Sequence, residues 1–173
     1  VTGRTRIVYL ANPNNPTVSY LPATELTRLP DDLPASALLV IDAAYAEYAN
    51  RNDFDPGLAL AATADNVVMT RTFSKIYGLA GLRVGWAYCP EHVADTLNRV
   101  RAPFNVNIAA QRAAVAALED HQHTENSVRH NDIWRGWLLA RLRELGLRAD
   151  DSAANFLLLH FPDEPGKRAA DAD

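Results

Sequence analysis

The chain has 173 residues, and its 17 lysine and arginine residues against 21 aspartate and glutamate residues give a formal net charge of −4. The basic residues are dispersed instead of forming a stripe that could follow a phosphate backbone, so we expect no nucleic-acid partner. Hydrophobic residues make up 48% of the chain, no apolar run is long enough to span a membrane, and the single cysteine excludes an internal disulfide, so we expect a globular cytoplasmic protein without a membrane partner.

Short continuous apolar runs predict the β-strands. In chain order they cover Ile7 to Ala11, Leu38 to Ile41, Val67 to Met69, Val84 to Tyr88 and Phe156 to Phe161. Runs without polar alternation are typical of strands that are covered on both faces, as in a parallel sheet. We therefore expect a mainly parallel sheet flanked by helices.

Helical stretches separate the strands. They are predicted near Thr24 to Leu29, over Glu91 to Arg101, over Ile108 to Leu118 and over about His121 to Leu145. The alternation of strands and helices argues for an α/β fold. Because the pattern then changes to one long helix followed by a lone strand, we predict a boundary near residue 120. Residues 1–120 would form part of a large domain, and residues 121–173 a linking helix with the start of a smaller α+β domain.

Three of the apolar runs end in polar residues. The first leads into NPNNPT at residues 12–17, the second ends at Asp42, and the third leads through TRT into FSK with Lys75. Each feature alone has an ordinary explanation, because Asp42 can cap a turn, Asn and Pro form turns, and Lys75 can be a solvated surface residue. Ligands of open parallel sheets bind beyond the carboxyl ends of the strands, so together these residues predict one site.

The segments NPNNPT, DAAY, TFSK and GLAGLRVG, in this order, resemble the large-domain core of fold-type I aminotransferases that use pyridoxal 5'-phosphate. They are most similar to the histidinol-phosphate aminotransferase group, and the resemblance covers nearly the whole chain. It implies that Lys75 forms an imine with the cofactor aldehyde, that Asp42 pairs with the pyridine nitrogen, and that Tyr45 contacts the phenolic oxygen. The cofactor-binding residues implied are Asn15, Asp42, Ala44, Tyr45, Thr72, Ser74, Lys75 and Arg83.

The residue types suit that chemistry. A lysine amine is nucleophilic only when neutral, so we expect Lys75 in a desolvated or cation-rich site. An aspartate that faces the ring nitrogen keeps it protonated, which lets the ring accept electrons. Arg83 supplies a planar fork for the phosphate, and the hydroxyls of Thr72 and Ser74 add neutral hydrogen bonds.

The resemblance implies a two-stage amino transfer in a homodimer, with histidinol phosphate as amine donor and 2-oxoglutarate as the 2-oxo acid acceptor, as part of histidine biosynthesis. The alternatives are an aromatic aminotransferase, a related amino-acid-phosphate decarboxylase, or a non-catalytic cofactor-binding effector domain of a transcription regulator. The five histidines lack metal-ligand spacing, so we predict no metal site. Because the family's upstream phosphate loop, stacking aromatic residue and C-terminal arginine have no matching segments, we expect this segment alone to be incomplete.

One position departs from the family's pattern. Where the family commonly has NPTG, this chain has NPTV, which puts Val18 in place of the glycine. A β-branched residue is disfavoured at positive φ. We therefore predict that the turn avoids the left-handed conformation at Val18.

Overall fold

The computed structural model describes residues 1–161. Its strands are β1 (Ile7–Ala11), β2 (Leu38–Asp42), β3 (Val67–Thr72), β4 (Gly85–Tyr88), β5 (Arg148–Ala149) and β6 (Leu159–His160). Its α-helices are α1 (Ala23–Leu26), α2 (Leu58–Thr63), α3 (Glu91–Val100), α4 (Ile108–Glu119) and α5 (His121–Glu144). Two short 3-10 helices, Ala46–Tyr48 and Ala80–Leu82, lie in the connections that follow β2 and β3.

A four-stranded sheet in the order β1-β2-β3-β4 organises the first half of the chain. Strands β1, β2 and β3 are parallel, and β4 is antiparallel to β3. The predicted α/β fold with a mainly parallel sheet is confirmed. Asp42 pairs with Ala11 on one side and with Thr70 on the other, so the carboxyl ends of the three parallel strands lie at one edge.

The main hydrophobic core combines side chains of β2 and β3 with those of α1 and α2. Its buried members are Leu26, Leu39, Ile41, Ala43, Ala61, Val67 and Met69. The expectation that both faces of every strand are covered is wrong for the edge strands β1 and β4 within residues 1–161. Side chains of a strand point to the two faces of the sheet, and the described residues leave Tyr9 of β1 74% exposed and Trp86 of β4 40% exposed.

Two short elements differ from their predictions. Helix α2 was not predicted, because six residues are too few to show helical periodicity. It begins after Gly57, which has a φ of 88° and lies so close to Ile41 that an added Cβ would come within 2.6 Å of its Cδ1. The strand predicted over Phe156 to Phe161 shrinks to β6, and it is not alone, because it pairs antiparallel with β5.

Helices α4 and α5 meet at Asp120. The Asp120 side chain accepts a 2.9 Å hydrogen bond from the backbone N–H of His123, which caps α5. The domain division at residue 120 stays a prediction, and the end of the range 121–173 lies outside the described residues. None of the described helices combines the length and the apolar character that crossing a membrane requires.

Candidate active site

A cleft of about 290 Å³ lies at the carboxyl ends of the parallel strands. It is lined by Ala11, Pro13, Asn15, Asp42, Ala44, Tyr45 and Lys75. Five of the predicted site residues thus meet in one cleft, although they come from three separate segments at or after the ends of β1, β2 and β3. A larger cavity of about 640 Å³ lies against α5, but none of the predicted site residues lines it. The smaller cleft is the candidate site because it gathers an amine, a carboxylate, a phenol and an amide.

Tyr45 lies at the centre of these contacts. Its hydroxyl accepts a 3.0 Å hydrogen bond from Nδ2 of Asn15, and Nζ of Lys75 lies 5.2 Å from the centroid of its ring. The residue is 6% exposed. Its ring meets that of Phe156 edge to face at a centroid distance of 5.2 Å, so packing fixes the ring from the side.

Asp42 is the last residue of β2. Its Oδ1 accepts a 3.1 Å hydrogen bond from the backbone N–H of Ala44, so the carboxylate does cap the following turn. The other carboxylate oxygen has no hydrogen-bond partner within residues 1–161 and is free for a ligand. The capping role and the cofactor role of Asp42 are therefore compatible, because each uses a different oxygen.

The three residues predicted to hold a phosphate lie together next to the cleft. Oγ1 of Thr72 accepts a 3.0 Å hydrogen bond from the backbone N–H of Ser74, and Nη1 of Arg83 lies 3.5 Å from Oγ of Ser74. Arg83 also donates a 2.8 Å hydrogen bond to the carbonyl of Ala80. Its backbone has a φ of 53°, a left-handed conformation that is uncommon for arginine.

Two expectations about the site are corrected. Lys75 is exposed, not desolvated, within the described residues, and its one close aromatic neighbour is Tyr45. Val18 has a φ of 57° and is 2% exposed, so the turn does adopt the left-handed conformation. Backbone hydrogen bonds from Val18 to Asn14 and from Asn14 to Ser19 hold the turn in that shape.

Sequence reasoning missed three contributors to the site. Ala11 and Pro13 line the cleft because they flank the end of β1, a place that the apolar run itself marks. Phe156 reaches Tyr45 from far along the chain, and nothing in its local sequence indicates that contact.

Comparison with known proteins identifies the family. The model of the family "Aminotransferase class I and II" matches residues 2–172. The chain belongs to the class I and II aminotransferases. The resemblance inferred from the four segments is thus confirmed.

Relatives with a specific name share a large part of the sequence. Curated histidinol-phosphate aminotransferases of Rhodopseudomonas palustris (strain BisB5) and Paramagnetospirillum magneticum (strain ATCC 700264 / AMB-1) are 53% and 56% identical over all 173 residues, which cover 47% and 48% of those proteins. The chain therefore spans about half the length of the curated relatives it matches.

A solved structure agrees with the fold of this aminotransferase segment. The crystal structure of histidinol-phosphate aminotransferase from Sinorhizobium meliloti in complex with pyridoxal-5'-phosphate is 35% identical and has a TM-score of 0.82. The match covers 87% of this chain and 41% of that one. The aminotransferase-like fold that the motifs implied is thus confirmed.

Proposed function

We propose that the intact protein transfers an amino group from histidinol phosphate to 2-oxoglutarate with pyridoxal 5'-phosphate as cofactor, as a step of histidine biosynthesis. The proposal is supported by the identity of 53% and 56% to relatives named for this activity. The observation that carries the chemistry is the position of the Lys75 amine 5.2 Å from the Tyr45 ring centroid, in a cleft that also holds Asp42 and Asn15.

The residues of the cleft fit the cofactor. The cofactor has an aldehyde, a ring nitrogen, a phenolic oxygen and a phosphate, and it supplies an electron-accepting ring when bound. Lys75 offers an amine for the aldehyde, Asp42 a carboxylate oxygen for the ring nitrogen, and Tyr45 with Asn15 polar atoms for the phenolic oxygen. Arg83, with Ser74 and Thr72 beside it, offers a cation and hydroxyls for the phosphate, and Ala44 is small enough to lie against the ring.

Lys75 performs two tasks in this proposal. Its Nζ would be the nucleophile toward the cofactor aldehyde, and the same Nζ, when free, would take the α-proton from the substrate and pass it to the carbon of the former aldehyde. Asp42 keeps the ring nitrogen protonated through its carboxylate oxygen. Asn15 orients the Tyr45 hydroxyl, which binds the phenolic oxygen.

We also propose that the enzyme works as a cytoplasmic homodimer, as the family resemblance implies. Light scattering on the intact protein should give the mass of two chains, and a monomer of full activity would contradict this part of the proposal.

Labelling of a single lysine tests the site. This chain has two lysines, Lys75 and Lys167, and Lys167 lies outside the described residues. Borohydride reduction of the intact protein in the presence of pyridoxal 5'-phosphate should attach the cofactor to Lys75, as read by peptide mass spectrometry. Lys75→Ala should remove the label on this segment, whereas Lys167→Ala should keep it.

Substrate choice is tested separately by kcat/KM. Histidinol phosphate should be preferred to phenylalanine, and a preference for phenylalanine of about tenfold, or about 1.4 kcal/mol, would reassign the enzyme to aromatic donors. A protein that labels at Lys75 but turns over neither substrate would favour the effector-domain alternative.

A further inference from the structure

A largely buried ion pair joins the two segments that carry the candidate catalytic residues. Nη2 of Arg71 lies 2.5 Å from Oε1 of Glu47, and their side chains are 16% and 9% exposed. Glu47 stands two residues after Tyr45, in a 3-10 helix, and Arg71 stands in β3 four residues before Lys75. The pair therefore connects the turn that carries Tyr45 to the strand that leads to Lys75.

Strand β4 confines Arg71 from another side. The guanidinium carbon of Arg71 lies 5.8 Å from the ring centroid of Trp86, its partner across the antiparallel pair. At Gly85 an added Cβ would come within 2.7 Å of the Arg71 carbonyl oxygen, so glycine is what lets β4 approach this closely. The Arg71 guanidinium thus contacts both the Trp86 ring and the Glu47 carboxylate.

The charges of both partners also act on Tyr77, two residues beyond Lys75. Burial and then the charge of Glu47 raise the pKa of Tyr77, while the charge of Arg71 lowers it. Arg71 thus ties the strand before Lys75 to Glu47, and Tyr77 beyond Lys75 packs against the hydrophobic cluster that contains Tyr45.

Stability alone is a poor explanation for this pair. Removing two charges from water costs free energy that their attraction offsets only in part, and apolar replacements of such pairs are often neutral or stabilising. In addition, Nε of Arg71 is buried without a hydrogen-bond partner in the described part of the chain, which adds a desolvation cost. The exposed pair Arg141–Glu144, with side chains 57% and 62% exposed, carries no comparable cost.

We propose that Arg71 and Glu47 are positioning residues that fix the Lys75 amine relative to Tyr45. The inference rests on the proposed function, in which Nζ of Lys75 is both nucleophile and base. Neither Arg71 nor Glu47 lines the cleft, so they act through the segments they hold. A displacement of about 1 Å at a reacting group can slow a reaction by about 10²-fold. Loss of the pair should therefore slow the reactions of Lys75 more than it weakens substrate binding.

A paired substitution tests this on the intact protein. Arg71→Met combined with Glu47→Leu replaces the pair with apolar side chains and should leave the unfolding temperature close to that of the wild type. The first-order rate at which pyridoxal 5'-phosphate becomes trapped on Lys75, and kcat with histidinol phosphate, should each fall by about tenfold or more, with KM within about twofold. The matched control, Arg141→Gln with Glu144→Gln, should change none of these quantities.

A single substitution covers the case in which the paired variant does not fold. Arg71→Lys keeps the opposite charges but loses the planar fork, so it should fold and show a smaller fall of about three- to tenfold in trapping rate and kcat. If a variant with the wild-type unfolding temperature traps the cofactor and turns over within about twofold of the wild type, the pair is only structural and the inference is wrong. A wild-type protein that takes no label at Lys75 would instead overturn the proposed function, and the inference with it.

Discussion

The side-chain amide of Asn15 donates a 3.0 Å hydrogen bond to the hydroxyl of Tyr45, although 30 residues separate them in the chain. The bond joins the segment after β1 to the turn after β2. Tyr45 is buried, whereas Asn15 is exposed at the cleft. The amide thus fixes the one polar atom of a ring that packing already holds in place, and the two residues should act as a unit in cofactor binding.

A double-mutant cycle measures that coupling. Asn15→Ala and Tyr45→Phe should each weaken the binding of pyridoxal 5'-phosphate to the intact protein. The loss of binding free energy in the double variant should be smaller than the sum of the two single losses by about 0.5–1.5 kcal/mol, because either change breaks the same hydrogen bond. The measurement is the cofactor Kd by absorbance titration. Asn14, whose side chain bonds Thr17, provides the control. Asn14→Ala combined with Tyr45→Phe should be additive, and additivity of the Asn15 cycle would refute the coupling.

Two substitutions of Asp42 separate its structural role from its chemical role. Asp42→Asn keeps an oxygen that can accept from the Ala44 N–H, so the free energy of unfolding should change by less than about 0.5 kcal/mol, whereas Asp42→Ala should lose about 0.5–1.5 kcal/mol. Both should lower the single-turnover rate of α-proton removal by about 10²-fold or more, because the ring nitrogen loses its carboxylate. An Asp42→Asn protein with the wild-type single-turnover rate would exclude the chemical role.

Substitution of Arg83 should produce a different defect. Arg83→Ala should weaken cofactor retention by about 1.5–3 kcal/mol, because a charge-assisted contact to the phosphate is lost. The single-turnover rate of the fully loaded enzyme should change little. Dialysis against buffer without cofactor measures retention. Arg28→Ala removes an exposed arginine paired with Glu25 on α1 and serves as the control. Equal retention by the Arg83 and Arg28 variants would rule out the phosphate role.

The strands, and the fact that the site residues lie together, were predictable from the sequence. Each prediction depends on a local sequence pattern combined with one general rule. The run Ile7 to Ala11 became β1 with unchanged bounds, since a strand of continuous apolar residues ends where polar residues begin. The rule that ligands bind beyond the carboxyl ends of parallel strands then grouped Asn15, Asp42 and Lys75 in one cleft.

Contacts across long separations were not predictable. The packing of Phe156 on Tyr45 and the pairing of Arg71 with Glu47 depend on how distant segments meet, and no spacing within either segment encodes that. The conformation of Val18 was predicted wrongly for a related reason. A local steric preference against positive φ was outweighed by the backbone hydrogen bonds of the turn and by burial of the side chain.

Val18 gives the last prediction. A residue with a Cβ at a φ of 57° carries about 1–2 kcal/mol of conformational cost, but its buried side chain contributes about 1.5–3 kcal/mol of hydrophobic stabilisation. Val18→Ala should lose most of the hydrophobic stabilisation and keep the conformational cost of the left-handed backbone. Val18→Gly should lose the stabilisation too, but it should relieve that conformational cost. The glycine variant should therefore be more stable than the alanine variant by about 1 kcal/mol, as measured by denaturant unfolding.

The control for Val18 is Val68, a valine of β3 that is 6% exposed and has an ordinary strand backbone. At Val68 the glycine variant should instead be the less stable of the two, because glycine in a strand interior destabilises the protein by about 0.5–1 kcal/mol relative to alanine. If Val18→Gly were also the less stable of its pair, the left-handed conformation at Val18 would carry no cost in the folded protein. The stability difference between the glycine and alanine variants should therefore have opposite signs at the two buried valines. Because the same side chain is removed at both positions, this contrast isolates the contribution of the backbone conformation.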